Sequence, residues 1–319
     1  MGASAVHQII TDKIVALIEQ GIVPWRRPWR TAGGGNALYT NRPINGDGRP
    51  YHGINFLILA TEAMVKGYGG QVWLTFNKAR ELGGCVRKGE KSTMVTLWQP
   101  TEKLVEQPDG SMKKTKQFFL RYYNVFNVEQ CDGVTLPKKL RPVDVETPAE
   151  PQPVEVSIAA CEAIVAGMPN PPVIHREVHS ARAFYMPSAD SVTVPDGKDF
   201  ESGEEYYSTL FHELGHSTGA KSRLDRKDFG GTGSGAFSWF GSPVYSREEL
   251  VAELTAAFLC AEAGVDNVTI ENSAAYIANW SQALRDDPTV VVQAAGQAQK
   301  AANYILNIEP EKYTEEVAA

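Results

Sequence analysis

Apolar residues recur at helical spacing from the start of the chain. Ile9, Ile10, Ile14, Leu17 and Ile18 fall three to four positions apart across residues 4–20, which predicts a helix with one face to bury. Gly21 follows as its expected C-cap. Ile54, Leu57, Ile58, Ala60 and Ala63 repeat the pattern over 53–66. The period then shortens. Residues 71–76, 93–98 and 116–127 are rich in β-branched and aromatic side chains and predict strands, the last two as an antiparallel hairpin around a polar loop at 100–115. Residues 77–84 predict a short helix ended by glycine. Further on, a helix is expected over 157–166. Short strands follow near Val173, 183–187 and 191–195. The chain then turns helical to the end, with Ala294, Ala295, Ala298, Ala301 and Ala302 allowing close packing. These elements are read as an α+β fold in two domains.

One of these helices carries chemistry. Residues 207–216 read Tyr-Ser-Thr-Leu-Phe-His-Glu-Leu-Gly-His, an H-E-x-x-H pattern in an apolar setting. His212 and His216 are one turn apart and project from one face. Two such imidazoles can share a zinc ion, and Glu213 beside them is placed to act as general base on a water held there. A catalytic zinc takes a third protein ligand. Ser222 stands where one zincin subgroup, H-E-x-x-H-x-x-G-x-x-H, has its last histidine, so that subgroup is excluded. A carboxylate on a later helix is the other common source. Residues 245–254 predict that helix, with Ser246 and Glu249 as a capping box and Glu249 and Glu253 on one face. The layout resembles the gluzincin pattern, in which one Glu ligates the metal and an acid four residues later orients a ligating His. By that match Glu249 is the ligand and Glu253 its partner, with the converse assignment open. Tyr245 is the candidate for polarising a substrate carbonyl, with packing as the plainer alternative. The Gly/Ser-rich stretch 229–245 between the two helices is a candidate lid, with a surface loop as the plainer alternative. His175 and His179 are isolated and are not expected at the metal.

Charge changes the picture. The net charge is −7, but residues 1–130 carry a balance of +7 and the remainder −14. Five prolines among acids in 137–157 read as an extended linker. Three parts follow: a small mixed α/β domain at 1–135, a Pro-rich linker at 136–156, and a metal-binding domain at 157–319. The basic part suits a polyanion. Trp25, Arg26, Arg27, Trp29 and Arg30 interleave cations with flat rings, and Arg49, Tyr51, Trp73, Arg87, Lys88 and Lys91 add more. That mixture fits single-stranded DNA, whose phosphates pair with cations and whose unstacked bases lie on aromatic faces; the alternative is an anchoring segment with the Trp rings buried and the Arg residues solvated, and many of the aromatics are needed for the core of a small sheet domain. No run approaches a membrane span, no secretory leader is expected, and the four scattered cysteines suit reduced thiols in a cytoplasmic protein.

The ordered set of segments resembles the ArdC antirestriction family of conjugative plasmids. It comprises 24–29, Arg49 to Asn55, Trp73 to Asn77, Gly83 to Ser92, Tyr122 to Asn127, the His212–His216 motif and Glu248 to Glu253. The resemblance implies a single-stranded-DNA-binding domain joined to a zincin-like metallopeptidase domain that protects incoming plasmid DNA from host restriction during conjugation. The N-terminal part is also similar to plasmid TraC primases, although this chain leaves no room for a primase domain and priming is not expected. Zn2+ is the expected cofactor, with Mn2+ or another divalent ion as the alternative. Protein partners left open are a peptide substrate and the restriction enzyme itself. The competing reading is a DNA-coating protein that blocks restriction by occupancy, its metal site structural or regulatory.

Overall fold

A computed structural model describes residues 3–25, 42–106, 111–140, 154–178, 180, 182–226, 243–265 and 274–309. Helix α1 (Ala3–Glu19) buries Ile10, Ile14 and Ile18 and ends where Gly21, at φ +77°, donates to the Ile18 carbonyl. Strand β1 (Ile44–Asn45) leads to α2 (Ile54–Lys66), closed by Gly67 in the left-handed region. Strand β2 (Val72–Leu74) is shorter than its apolar run suggests, because the Thr75 hydroxyl accepts from the Lys78 amide and caps α3 (Phe76–Glu81).

The hairpin is longer than expected. Strands β4 (Thr93–Glu106) and β5 (Met112–Asn127) pair continuously from Thr93↔Val125 to Glu106↔Met112. The polar stretch expected to be loop is therefore mostly paired strand. Its Lys and Thr residues 113–115 are exposed, so no apolar alternation marks them. The four-stranded sheet runs β1-β2-β5-β4. Strand β3 (Cys85–Val86) pairs antiparallel with β6 (Cys131–Asp132) as a separate two-stranded ladder. Only glycine fits at Gly84, where a Cβ would lie 2.5 Å from the Asp132 carbonyl oxygen.

Helix α4 (Val154–Gly167) precedes a three-stranded sheet. In it β9 (Ser191–Pro195) lies between β7 (Val173–Val178), parallel to it, and β8 (Phe184–Met186), antiparallel. Helices α5 (Gly203–Ser217), α6 (Pro243–Ala263), α7 (Ala274–Asp286) and α8 (Val290–Ile305) complete the described chain. Of the expected linker, 136–140 is packed: Leu136 and Leu140 are buried with Ile44, Val72 and Leu74. Residues 141–153 lie outside the described residues.

One hydrophobic cluster runs through α1, α2, α5, α6 and α8. Phe56 of α2 meets Phe258 of α6 edge to face at 5.2 Å, and Trp25 meets Trp280 of α7 at 6.2 Å. Polar contacts cross the same boundary. Arg42 pairs with Glu262 of α6 at 2.8 Å and contacts His52 Nδ1 at 3.1 Å, while the Gly53 amide donates to Gln299 of α8. Burial, then the Arg42 charge, pushes His52 down to about 4, so at neutral pH its Nδ1 is an acceptor for the guanidinium.

Candidate metal centre

Helix α5 is built to hold its histidines rigidly. The Ser202 hydroxyl accepts from the Glu205 amide at the N-cap, and Glu204 and Glu205 in the first turn suit the positive end of the helix dipole. Leu210, Phe211 and Leu214 are fully buried. Near the start, Tyr207 donates to Glu162 of α4, which also takes a bidentate pair from Arg176 of β7. At the far end Arg223 donates to the Ser217 carbonyl and pairs with Asp190.

His212 and His216 turn their rings toward each other, with centroids 4.7 Å apart and Nε2 atoms 3.1 Å apart. Glu249 of α6 faces both, one carboxylate oxygen 3.4 Å from His212 Nε2 and the other 3.4 Å from His216 Nε2. These three side chains form the metal-capable cluster found among the described residues. Ligands about 2.0–2.1 Å from a tetrahedral zinc stand about 3.3 Å from one another. The two Nε2 atoms and the Glu249 carboxylate stand at such separations, each ring facing a different carboxylate oxygen, so the donor set fits a small divalent cation.

The helices approach closely enough for this because of Gly215. A Cβ there would sit 3.2 Å from both Ala252 Cα and Thr255 Cβ of α6. The glycine of the motif thus sets the distance between the His pair and Glu249. Helix α6 begins at Pro243, three residues before the expected cap. Ser246 therefore lies inside the helix, which frees Glu249 from the capping-box role.

Electrostatics favour a cation. Burial disfavours charge on the imidazoles, but the carboxylates around them, Glu249 foremost, outweigh it; His212 is raised and His216 is held well above its ordinary value. Burial likewise works against charged Glu249, yet the facing histidines hold its carboxyl far below the usual range. The field that favours protons on these rings also favours a metal ion. Glu213 is buried at 8 % exposure and its charge acts on both rings.

Glu248, adjacent to Glu249, meets His216 Nδ1 at 3.3 Å. It lies about 100° around the helix from Glu249 and reaches the back of the ring. Glu253 is buried one turn beyond Glu249. The backbone of Tyr245 lies in the first turn of α6, and its side chain is outside the described residues, as are the stretch 227–242 and His179. His175 is on β7, exposed.

The aromatic candidates for DNA need correction. Trp25 and Trp73 are fully buried and Tyr51 nearly so, the last hydrogen-bonded to Tyr123. Their faces pack on Trp280, Tyr68 and neighbouring core residues, so they are core side chains here rather than stacking platforms. Arg87 is tied to Glu90, Asp132 and the Glu129 carbonyl. Arg49, Lys88 and Lys91 are exposed. Arg26, Arg27, Trp29 and Arg30 lie outside the described residues.

Residues 4–126 match the family described as the N-terminal domain of anti-restriction factor ArdC, and 168–297 match a zincin-like metallopeptidase family. The crystal structure of antirestriction ArdC from plasmid R388, metal-free, is similar at 35 % identity with a TM-score of 0.67, covering 95 % of this chain and 99 % of that one. The chain belongs to the ArdC antirestriction family. The same relative in its Mn(II)-bound structure gives a TM-score of 0.66 over 94 % of this ArdC-family chain and 97 % of that one. An uncharacterized Sinorhizobium fredii protein, y4eC, is 33 % identical over 94 % of this chain and 91 % of its own length. A DNA primase TraC from Escherichia coli is 33 % identical over 97 % of this chain, which spans only 20 % of that relative. Among the described residues of the ArdC-family chain, no helix is long and apolar enough to cross a membrane.

Proposed function

We propose that this protein is a single-stranded-DNA-binding antirestriction protein carrying a divalent-metal peptidase centre, acting in the bacterial cytoplasm to protect incoming plasmid DNA during conjugation. The observation that carries the reading is the triangle of His212, His216 and Glu249, with Glu213 buried beside it. The zincin-like family match and the Mn(II)-bound relative support a divalent ion; zinc suits two imidazoles and one carboxylate. When bound, the ion supplies Lewis acidity to a peptide carbonyl and to water.

The chain's own residues do the rest. His212, His216 and Glu249 hold the ion on two helices fixed against each other. Glu213 takes the proton from the attacking water and returns it to the departing amine. Strand β8 is an edge of its sheet and precedes α5, which suits alignment of an extended substrate by strand addition. DNA binding is assigned to 1–135 through exposed cations, Arg49, Lys88 and Lys91 among them, in keeping with the basic balance of that part.

Glu213→Gln tests the role of hydrolysis. It should retain metal and single-stranded DNA binding while abolishing peptide hydrolysis and, with it, protection of transferred DNA. Full protection by the variant would favour the coating reading instead.

A further inference from the structure

The far side of the His216 ring carries an arrangement that neither the ligand set nor the general base requires. Glu248 presents one oxygen to His216 Nδ1 at 3.3 Å. Arg226, from the turn after α5, holds that carboxylate with a fork: Nη2 donates to Oε1 and Nε to Oε2 at 3.1 Å. The same guanidinium also closes the end of α5. Nη2 donates to the Gly215 carbonyl at 3.0 Å and the His216 carbonyl at 3.3 Å, and Nη1 donates to Thr218 Oγ1 at 2.5 Å. The Arg226 side chain is 6 % exposed and that of Glu248 15 %. A surface ion pair would be worth little, but a buried forked pair fixes both partners in direction as well as distance.

We infer that Glu248 and Arg226 are positioning residues of the metal centre: Glu248 fixes the His216 ring and Arg226 fixes Glu248 and the end of α5 together. The inference rests on the metal-centre reading. An Nδ1–H donated to Glu248 leaves the Nε2 lone pair directed at the ion, which selects the tautomer a ligand needs. The adjacent acids Glu248 and Glu249 thereby divide the work, one behind the ring and one in front of it. Arg226 couples the two helices, because it grips α5 through backbone carbonyls and α6 through Glu248. Neither residue touches substrate in this assignment; both act through His216.

The experiment is a Co2+ titration of the full chain, following the visible d–d absorption, with Zn2+ affinity then read by competition. Melting temperature is measured on the same proteins in EDTA. Partners behind a metal-bound histidine typically contribute about 10–100-fold in metal affinity. Glu248→Ala should lose that much and shift the Co2+ spectrum. Glu248→Gln keeps an acceptor oxygen but no charge and should lose about threefold to tenfold. Arg226→Met should weaken affinity, and Arg226→Lys should restore it only in part, since an ammonium cannot make the fork. The double variant Arg226→Met with Glu248→Ala should lose less than the product of the two single losses, because the two side chains share one contact.

Wild-type affinity and spectrum in Glu248→Gln would overturn the inference, even if Glu248→Ala failed to fold. So would melting temperatures that fall while affinities stay equal, or a loss produced by Glu253→Gln and not by Glu248→Gln. A wild-type chain that binds neither ion specifically would overturn the metal-centre reading itself, and it would do so before any variant is compared.

Discussion

Gly215→Ala is expected to loosen the metal centre although Gly215 ligates nothing. In an exposed helix interior, Gly to Ala stabilises by about 0.5–1 kcal/mol. At Gly215 the new methyl would meet Ala252 Cα and Thr255 Cβ at 3.2 Å and the Ala252 carbonyl oxygen at 3.4 Å. Ordinary carbon contacts lie at about 3.5–4.0 Å, so α6 must retreat by roughly 0.3–0.8 Å there. Two of the three contacts are backbone, and no side-chain rotation relieves them. Overpacking of this kind costs about 1–3 kcal/mol, which outweighs the propensity gain. Ala252 is three residues beyond Glu249, so the retreat falls on the two 3.4 Å edges of the ligand triangle. Metal sites hold their distances to about ±0.2 Å, and an affinity loss of about tenfold or more follows. Thermal unfolding in EDTA and Zn2+ competition read the two effects. Gly296→Ala on α8 is the reference, since nothing lies within 4 Å of its added Cβ; it should raise stability and leave affinity alone. If Gly215→Ala stabilised the protein as Gly296→Ala does and bound metal like wild type, the close-approach argument would be refuted.

Trp73→Ala should destabilise by about 3–5 kcal/mol in urea unfolding, because the ring is fully buried against Tyr68; a stable variant with selectively lost DNA binding would restore Trp73 as a stacking platform. Asp190→Asn should lower the melting temperature at pH 7, and the gap from wild type should close as the pH falls. Its carboxyl is held below the ordinary value, chiefly by Arg223 and against burial, so its contribution is present above its unfolded value near 4 and fades as pH falls through the lower folded one. A gap that stayed constant from pH 7 to pH 3 would rule out the charge as its source.

The His212–His216 pair was legible because helical spacing puts i and i+4 on one face, and the Glu249–Glu253 helix because its layout resembles the gluzincin pattern, which left the order of the two acids open. Glu248 was not, since neighbours on a helix point about 100° apart and only the packing decides which one meets an imidazole. Arg226 sits in no motif, and its role exists only once α5 and α6 are side by side. The start of α6 had a readable signal in Pro243, suited to a first helical position, which the Ser246–Glu249 pairing obscured. The interleaved Trp and Arg residues suggested a platform, yet composition carries no sign of which face of a ring is covered; Trp25 and Trp73 went to the core. Likewise α1 and α2 announced a buried stripe but not its partner, and that partner includes α6 and α8, across the composition boundary.

The first measurement is metal stoichiometry of the purified chain after EDTA treatment and reloading with Zn2+ or Mn2+, compared with Glu249→Ala and Glu213→Gln. One tightly held ion per chain is expected, lost in Glu249→Ala and kept in Glu213→Gln. Binding that is absent from wild type, or that Glu249→Ala leaves intact, would contradict it.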